Sequence, residues 1–100
     1  MLVLSSNPGE TVSPRARRVV LTCSPAGGTH PAPRPTCTEL SKVGGDVTAL
    51  NINPNTACPL IYDPITVTST GFWKGRPMRQ RMTFPNSCVL TALTGPVFRF

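Results

Sequence analysis

Short apolar runs and period-two alternation, punctuated by glycine and proline, dominate this chain and predict strands. Leu2-Val3-Leu4 reads as a short strand ended by a polar turn at Asn7-Pro8-Gly9, and Ser13-Pro14 breaks any helix beyond it. Arg18 to Cys23 is β-branched and apolar, the composition of a strand covered on both faces. Ile65-Thr66-Val67-Thr68 alternates as a half-buried strand does. Ser69-Thr70-Gly71 is expected to turn, Phe72-Trp73 to begin the return, and Lys74-Gly75 to turn again. From Arg76 to Phe84, the residues Met78, Gln80, Met82 and Phe84 share one face, with Arg79, Arg81 and Thr83 on the other. Val97-Phe98-Arg99-Phe100 alternates once more and predicts a closing strand.

Helical spacing occurs in two places. Cys37, Leu40 and Val43 form a narrow stripe in the segment Thr36 to Val43, where Thr36 and Glu39 match the reciprocal capping pattern. Gly44-Gly45 ends that helix, because glycine closes a helix in the left-handed conformation at little cost. Asn86 is expected to cap a second short helix through Cys88, Val89, Ala92 and Leu93, broken by Gly95-Pro96. Asp46 can cap a further turn through Val47 and Leu50. Residues 24–35, with four prolines and two glycines, read as an irregular surface loop. The result is an α+β fold, one domain over residues 1–100, with about five antiparallel strands packed on two short helices.

Composition sharpens this picture. Twelve prolines and eight glycines in 100 residues mean rigid turns and a modest core, so covalent staples matter. Four cysteines, an even number, fit two disulfides in an oxidising, extracellular setting, with three pairings open. No stretch approaches a membrane span, and Met1-Leu2-Val3-Leu4 is too short to be a secretory signal. The net charge of +6 raises nucleic acid as a partner. Against that, the arginines are dispersed at positions 15, 17 and 18 and at 76, 79 and 81, and six aromatics form no stacking motif. Scattered arginines read as a solvated surface.

Little here supports catalysis. Glu10, Glu39, Asp46 and Asp63 are the only carboxylates of the side chains, and His30 is the single histidine, set in the proline-rich loop. No nucleophile, base and orienter converge, Gly27-Gly28 is followed by no phosphate-binding pattern, and cysteines 23, 37, 58 and 88 lack zinc-ligand spacing. No cofactor or metal is implied. The informative stretch is Ala57-Cys58-Pro59-Leu60-Ile61-Tyr62-Asp63-Pro64, apolar in its middle and bracketed by Pro59 and Pro64. Each proline restricts its own φ and the residue before it, leaving a rotation-poor peptide tied by a cysteine. Alone, such a run is also how a strand starts. Its stiffness equally suits a peptide offered to another protein.

The segment Cys23-Ser24-Pro25-Ala26-Gly27-Gly28-Thr29-His30-Pro31 through Cys37-Thr38-Glu39-Leu40 resembles the signature of the Streptomyces subtilisin inhibitor family. So do Ala49-Leu50, Cys58 to Pro64, Gly71 to Gly75, Phe84-Pro85-Asn86-Ser87-Cys88 and Val97 to Phe100, collinear over almost the whole chain. Thr36 stands where the family usually has alanine, and the amino end is shorter than is typical. The resemblance implies a secreted, extracellular, non-enzymatic inhibitor of serine proteases with a five-stranded antiparallel sheet and two helices. It also implies the disulfides Cys23–Cys37 and Cys58–Cys88 and a homodimer joined through the bare sheet face near Val3. It places a protease-binding loop over Ala57, Cys58, Pro59, Leu60, Ile61, Tyr62 and Asp63, with the reactive bond between Leu60 and Ile61. Leu60 in the primary pocket implies a subtilisin-like or chymotrypsin-like target, and relatives that block metalloproteases add a metalloprotease as a candidate partner. The competing reading is a secreted cationic binding module without inhibitory activity.

Overall fold

Leu2 and Leu4 are 1% and 0% exposed, and the strand that carries them, Leu2–Pro8 (β1), lies in the middle of the sheet. In the computed structural model, which describes residues 1–100, β1 pairs antiparallel with Arg17–Cys23 (β2) on one side. Ala26–Gly28 (β3) continues the sheet beyond β2. On the other side of β1 lie Ile65–Trp73 (β4) and then Arg76–Phe84 (β5), giving the antiparallel order β3-β2-β1-β4-β5. Helices Pro33–Lys42 (α1) and Ser87–Thr94 (α2), with a 3-10 turn at Val47–Ala49, complete the α+β fold. Disulfides Cys23–Cys37 and Cys58–Cys88 join Cα atoms 5.5 and 5.7 Å apart.

Register decides which face is packed. Leu2 opposes Leu21 and Gly71, and Leu4 opposes Val19 and Ser69. These positions, with Val67, Trp73 and Phe84, meet Leu40 of α1, Leu90 of α2, Val47, Leu50, Val97 and Phe98 in one core. Val3, Arg18, Val20, Thr68, Thr70, Arg79 and Arg81 take the alternate positions, which leaves a bare face. The expectation that β2 is covered on both faces is therefore corrected: only its Leu21 is buried. On β5, Met78, Gln80, Met82 and Phe84 do face inward, as the alternation predicts.

Several boundaries move for identifiable reasons. β1 runs through Asn7 to Pro8 instead of turning there, and Asn7 Nδ2 bridges to the carbonyls of Pro8 and Thr11 at 2.9 and 2.7 Å. Ser69-Thr70-Gly71 does not turn; β4 is continuous to Trp73, and the reversal is the two-residue Lys74-Gly75 turn. Gly71 is required because β1 passes so close that a Cβ would lie 2.3 Å from the Met1 carbonyl oxygen. Residues 24–35 are not irregular throughout, since Ala26–Gly28 pairs with β2 and α1 already begins at Pro33. Prolines 33 and 35 fit there because the first turn of a helix needs no intrahelical N–H donors. Thr36 is consequently inside the helix and fully buried, not its cap, and Glu39 pairs with Lys42 at 3.0 Å.

Gly44-Gly45 and the Asp46 cap fall where the sequence places them, Asp46 accepting from Thr48 N–H. Asn86 caps α2, but the buried residues of that helix are Leu90 and Thr94 rather than Cys88 and Ala92. Val97 to Phe100 forms no strand. Val97 and Phe98 are both buried, so the segment plugs the core with neighbouring side chains instead of alternating. His30 fastens it: Nδ1 accepts the Ala32 N–H at 2.9 Å, leaving Nε2 to donate to the Val97 carbonyl at 2.9 Å.

Candidate functional site

Beyond the 3-10 turn the chain leaves regular structure and crosses to the end of the sheet where β4 starts and β5 finishes. Asn53 N–H donates to the Ala92 carbonyl and Ile52 N–H to the Leu93 carbonyl, laying this approach along α2. Residues 57–63 then stand out from the surface. Leu60 is 105% exposed, as open as in a free peptide, with Ile61 and Tyr62 at 59% and 67%. Ala57, Pro59 and Asp63 are exposed too, and Cys58 is half-buried at its disulfide. Burying a side chain like Leu60 is worth about 1.5–3 kcal/mol. Three adjacent apolar groups that forgo this within the fold make a surface available to a partner.

The side chains are free while the backbone is held. Asn86 is 7% exposed, and its Nδ2 donates to both the Pro59 carbonyl (3.1 Å) and the Ile61 carbonyl (2.9 Å), straddling Leu60. Its Oδ1 accepts from Val89 N–H at 3.0 Å, so the residue that starts α2 also clamps the segment. Asp63 N–H donates to the Pro85 carbonyl at 2.8 Å. The Pro64 carbonyl accepts from Gly9 N–H at 2.8 Å, where Pro64 enters β4. Beneath the segment is a small cleft of about 270 Å³ walled by Pro85, Asn86 and Val89. On the exit side the Tyr62 hydroxyl donates to Glu10 Oε1. That hydrogen bond first, then desolvation and the charge of the carboxylate, hold the phenol above the ordinary tyrosine range.

The resemblance implies Ala57 to Asp63 as one protease-binding loop, and the structure places all seven in one surface segment. Two contributors escape it. Asn86 is legible only as a helix cap, because its amide partners lie 25 and 27 residues away. Glu10 carries no sequence signal at all; its contact with Tyr62 spans 52 residues. No reacting constellation forms around the segment: the four cysteines are all paired in disulfides, and His30 is buried with its ring on the Val97 carbonyl.

Residues 1–86 match the family model described as subtilisin inhibitor-like. The chain belongs to this family. It is 48% identical to subtilisin inhibitor-like protein 5 of Streptomyces fradiae, over 99% of this chain and 95% of that protein. It is 39% identical to the subtilisin inhibitor of Streptomyces albogriseolus, over 99% of this chain and 71% of that protein. The fold is similar to Streptomyces caespitosus sermetstatin, solved in complex with Bacillus licheniformis subtilisin, with a TM-score of 0.76 and 35% identity over 99% and 96% of the two chains. The family is one of protease inhibitors, not of enzymes.

Proposed function

We propose that residues 1–100 act as a single secreted inhibitor domain that occupies subtilisin-like serine proteases as a slow, reversible substrate cut between Leu60 and Ile61. The observation that carries this reading is the combination at Leu60: a side chain fully open to a partner, and flanking carbonyls both fixed by Asn86. Leu60 fills an apolar primary pocket. A trypsin-like pocket is disfavoured, because leucine leaves its buried carboxylate unpaired. Ordering a free peptide costs about 0.5–1.5 kcal/mol per immobilised side chain. Pro59, Pro64, the Cys58–Cys88 bond and the Asn86 clamp have removed much of that freedom in advance.

The same restraints account for slow hydrolysis. The protease serine attacks the Leu60 carbonyl carbon, the bond to the Ile61 nitrogen breaks, and the amine departs with a proton from the enzyme's base. That amine stays close, since Ile61 is bonded to Asn86 and Asp63 to Pro85. Intramolecular attack at effective molarities that reach about 10⁵ M favours resealing over attack by water. Two disulfides support the extracellular setting. The bare sheet face around Val3 supports the homodimer.

Titrating subtilisin with the purified chain, then sequencing the nicked product, tests the reading. The expected result is stoichiometric loss of activity and a new amino terminus at Ile61. Leu60→Lys should weaken subtilisin inhibition by about two orders of magnitude and gain trypsin inhibition. Unchanged subtilisin inhibition by that variant would show that another surface binds the enzyme.

A further inference from the structure

Between Ile61 and Asp63, Tyr62 is held differently from its two neighbours. Ile61 is fixed through its carbonyl and Asp63 through its N–H, but no hydrogen bond within the chain uses the Tyr62 backbone. Its N–H and carbonyl stay open, which is what a protease that pairs with its substrate as an added strand requires. The restraint on Tyr62 comes from its ring instead, through the hydroxyl that donates to Glu10 Oε1.

Glu10 is delivered to this spot by a built turn. At the end of β1, Gly9 N–H donates to the Pro64 carbonyl and the Gly9 carbonyl accepts from Thr66 Oγ1, each at 2.8 Å. Gly9 has φ +104°, a conformation that side chains disfavour, and the next residue is thereby set beside the exit of the segment. The Glu10 carboxylate is also unclaimed by any cation. In a chain with ten basic residues, the one ion pair is Glu39–Lys42. Its hydrogen bond from Tyr62 is therefore uncontested.

We infer that Glu10 is a positioning residue for the leaving side of the Leu60–Ile61 bond, holding Tyr62 by its hydroxyl while leaving the Tyr62 backbone free to pair with the protease. This rests on the reading of residues 57–63 as the reactive loop. After acylation the amine of Ile61 must wait within reach of the acyl-enzyme, and a tethered Tyr62 limits how far it swings. Loss of the tether therefore weakens binding and also shifts the balance from intact to nicked inhibitor, an effect that mere loss of fold stability does not produce. Ionisation acts in the same direction. The group facing Tyr62 is the Glu10 carboxylate, from the turn after β1, with Asp63 beside it on its own segment. A phenolate there can no longer donate and is repelled. Because the folded state raises the phenol's proton affinity, the tether is present below the ordinary tyrosine value of about 10 and is lost as pH climbs through the raised one.

A double-mutant cycle tests this with the full chain and subtilisin, using Glu10→Ala, Tyr62→Phe and the pair together. Both the inhibition constant and the equilibrium ratio of nicked to intact inhibitor are measured. Each single variant should weaken inhibition about three- to tenfold and raise the nicked ratio by a similar factor, with the double variant no worse than the poorer single one. Glu10→Gln, which still offers an acceptor, should keep most of the inhibition. The advantage of the parent over Tyr62→Phe should shrink towards unity as pH passes the raised tyrosine value. Additive effects, or parent-like constants for Glu10→Ala, overturn the role of Glu10 while leaving the Leu60–Ile61 assignment standing. A parent chain that fails to inhibit subtilisin, or that is nicked elsewhere, overturns both.

Discussion

Asn86 uses its two side-chain functions on different structures, and this makes them separable. Oδ1 accepts the α2 cap bond from Val89, while Nδ2 donates to the carbonyls on either side of Leu60. An ionised aspartate can make the first contact but not the second, since it only accepts. Asn86→Asp is expected to keep the α2 cap yet inhibit subtilisin about tenfold less, two hydrogen bonds of about 0.5–1.5 kcal/mol each being lost, with a comparable fall in stability. Asn86→Ala loses the cap as well, at a further cost of about 1 kcal/mol in stability. Thermal unfolding run beside a subtilisin titration separates the two roles; a parent-like inhibition constant for Asn86→Asp removes the clamp from the mechanism. Ser69 is a contrasting residue. It is fully buried on the core face of β4, and its Oγ is the one buried side-chain polar atom without a partner. Ser69→Ala should stabilise the fold by about 0.5–1 kcal/mol and raise Tm by a few degrees, read by calorimetry.

At the scale of elements, the two disulfides are alike in energy and unlike in consequence. Their sequence separations of 14 and 30 correspond to about 3 to 4 kcal/mol each by chain entropy. Cys23–Cys37 ties β2 to α1, far along the chain from Leu60, whereas Cys58 lies two residues before Leu60. Replacing either pair with alanine should lower Tm comparably, but only the 58–88 variant should be digested as a substrate, as electrophoresis after incubation with subtilisin would reveal. The elements also differ in how legible they were. Pro59 and Pro64 act on local backbone, so the stiffness of the exposed stretch could be read directly. Pro33 and Pro35 misled, because a proline that breaks a helix interior is harmless in a first turn, and nothing local says which it occupies. Gly71 misled likewise: the same residue type serves a turn or a close strand crossing, and only the approach of Met1 and Leu2 decides. The Thr36-x-x-Glu39 pattern is a cap by spacing, yet Thr36 is buried in α1. Contacts such as Glu10–Tyr62 are products of the tertiary fold and leave no trace in spacing.

For the whole molecule, the distribution of charge matters more than the +6 total. No aspartate or glutamate lies on any of the five strands, while the bare face carries Arg18 on β2 and Arg79 and Arg81 on β5. Between them run Val3, Val20 and Thr70, aligned by register with Arg79. Two copies joined face to face would bury Val3 and Val20 and bring both sets of arginines near one another without a carboxylate on the strands to offset them. Apolar burial favours that dimer and like-charge repulsion opposes it. Salt screens the second term, with a Debye length of about 30 Å at 0.01 M and about 10 Å at 0.1 M, and leaves the first intact or strengthens it. Self-association is therefore expected to tighten as ionic strength rises, the reverse of a contact held by opposite charges. Sedimentation across a salt series measures this directly. Val3→Lys, which removes apolar burial and adds like charge, should push the equilibrium to monomer while each chain inhibits subtilisin as before, since Leu60 lies beyond the end of the sheet. A dimer that loosens with added salt, or one indifferent to Val3→Lys, would place the contact on another face.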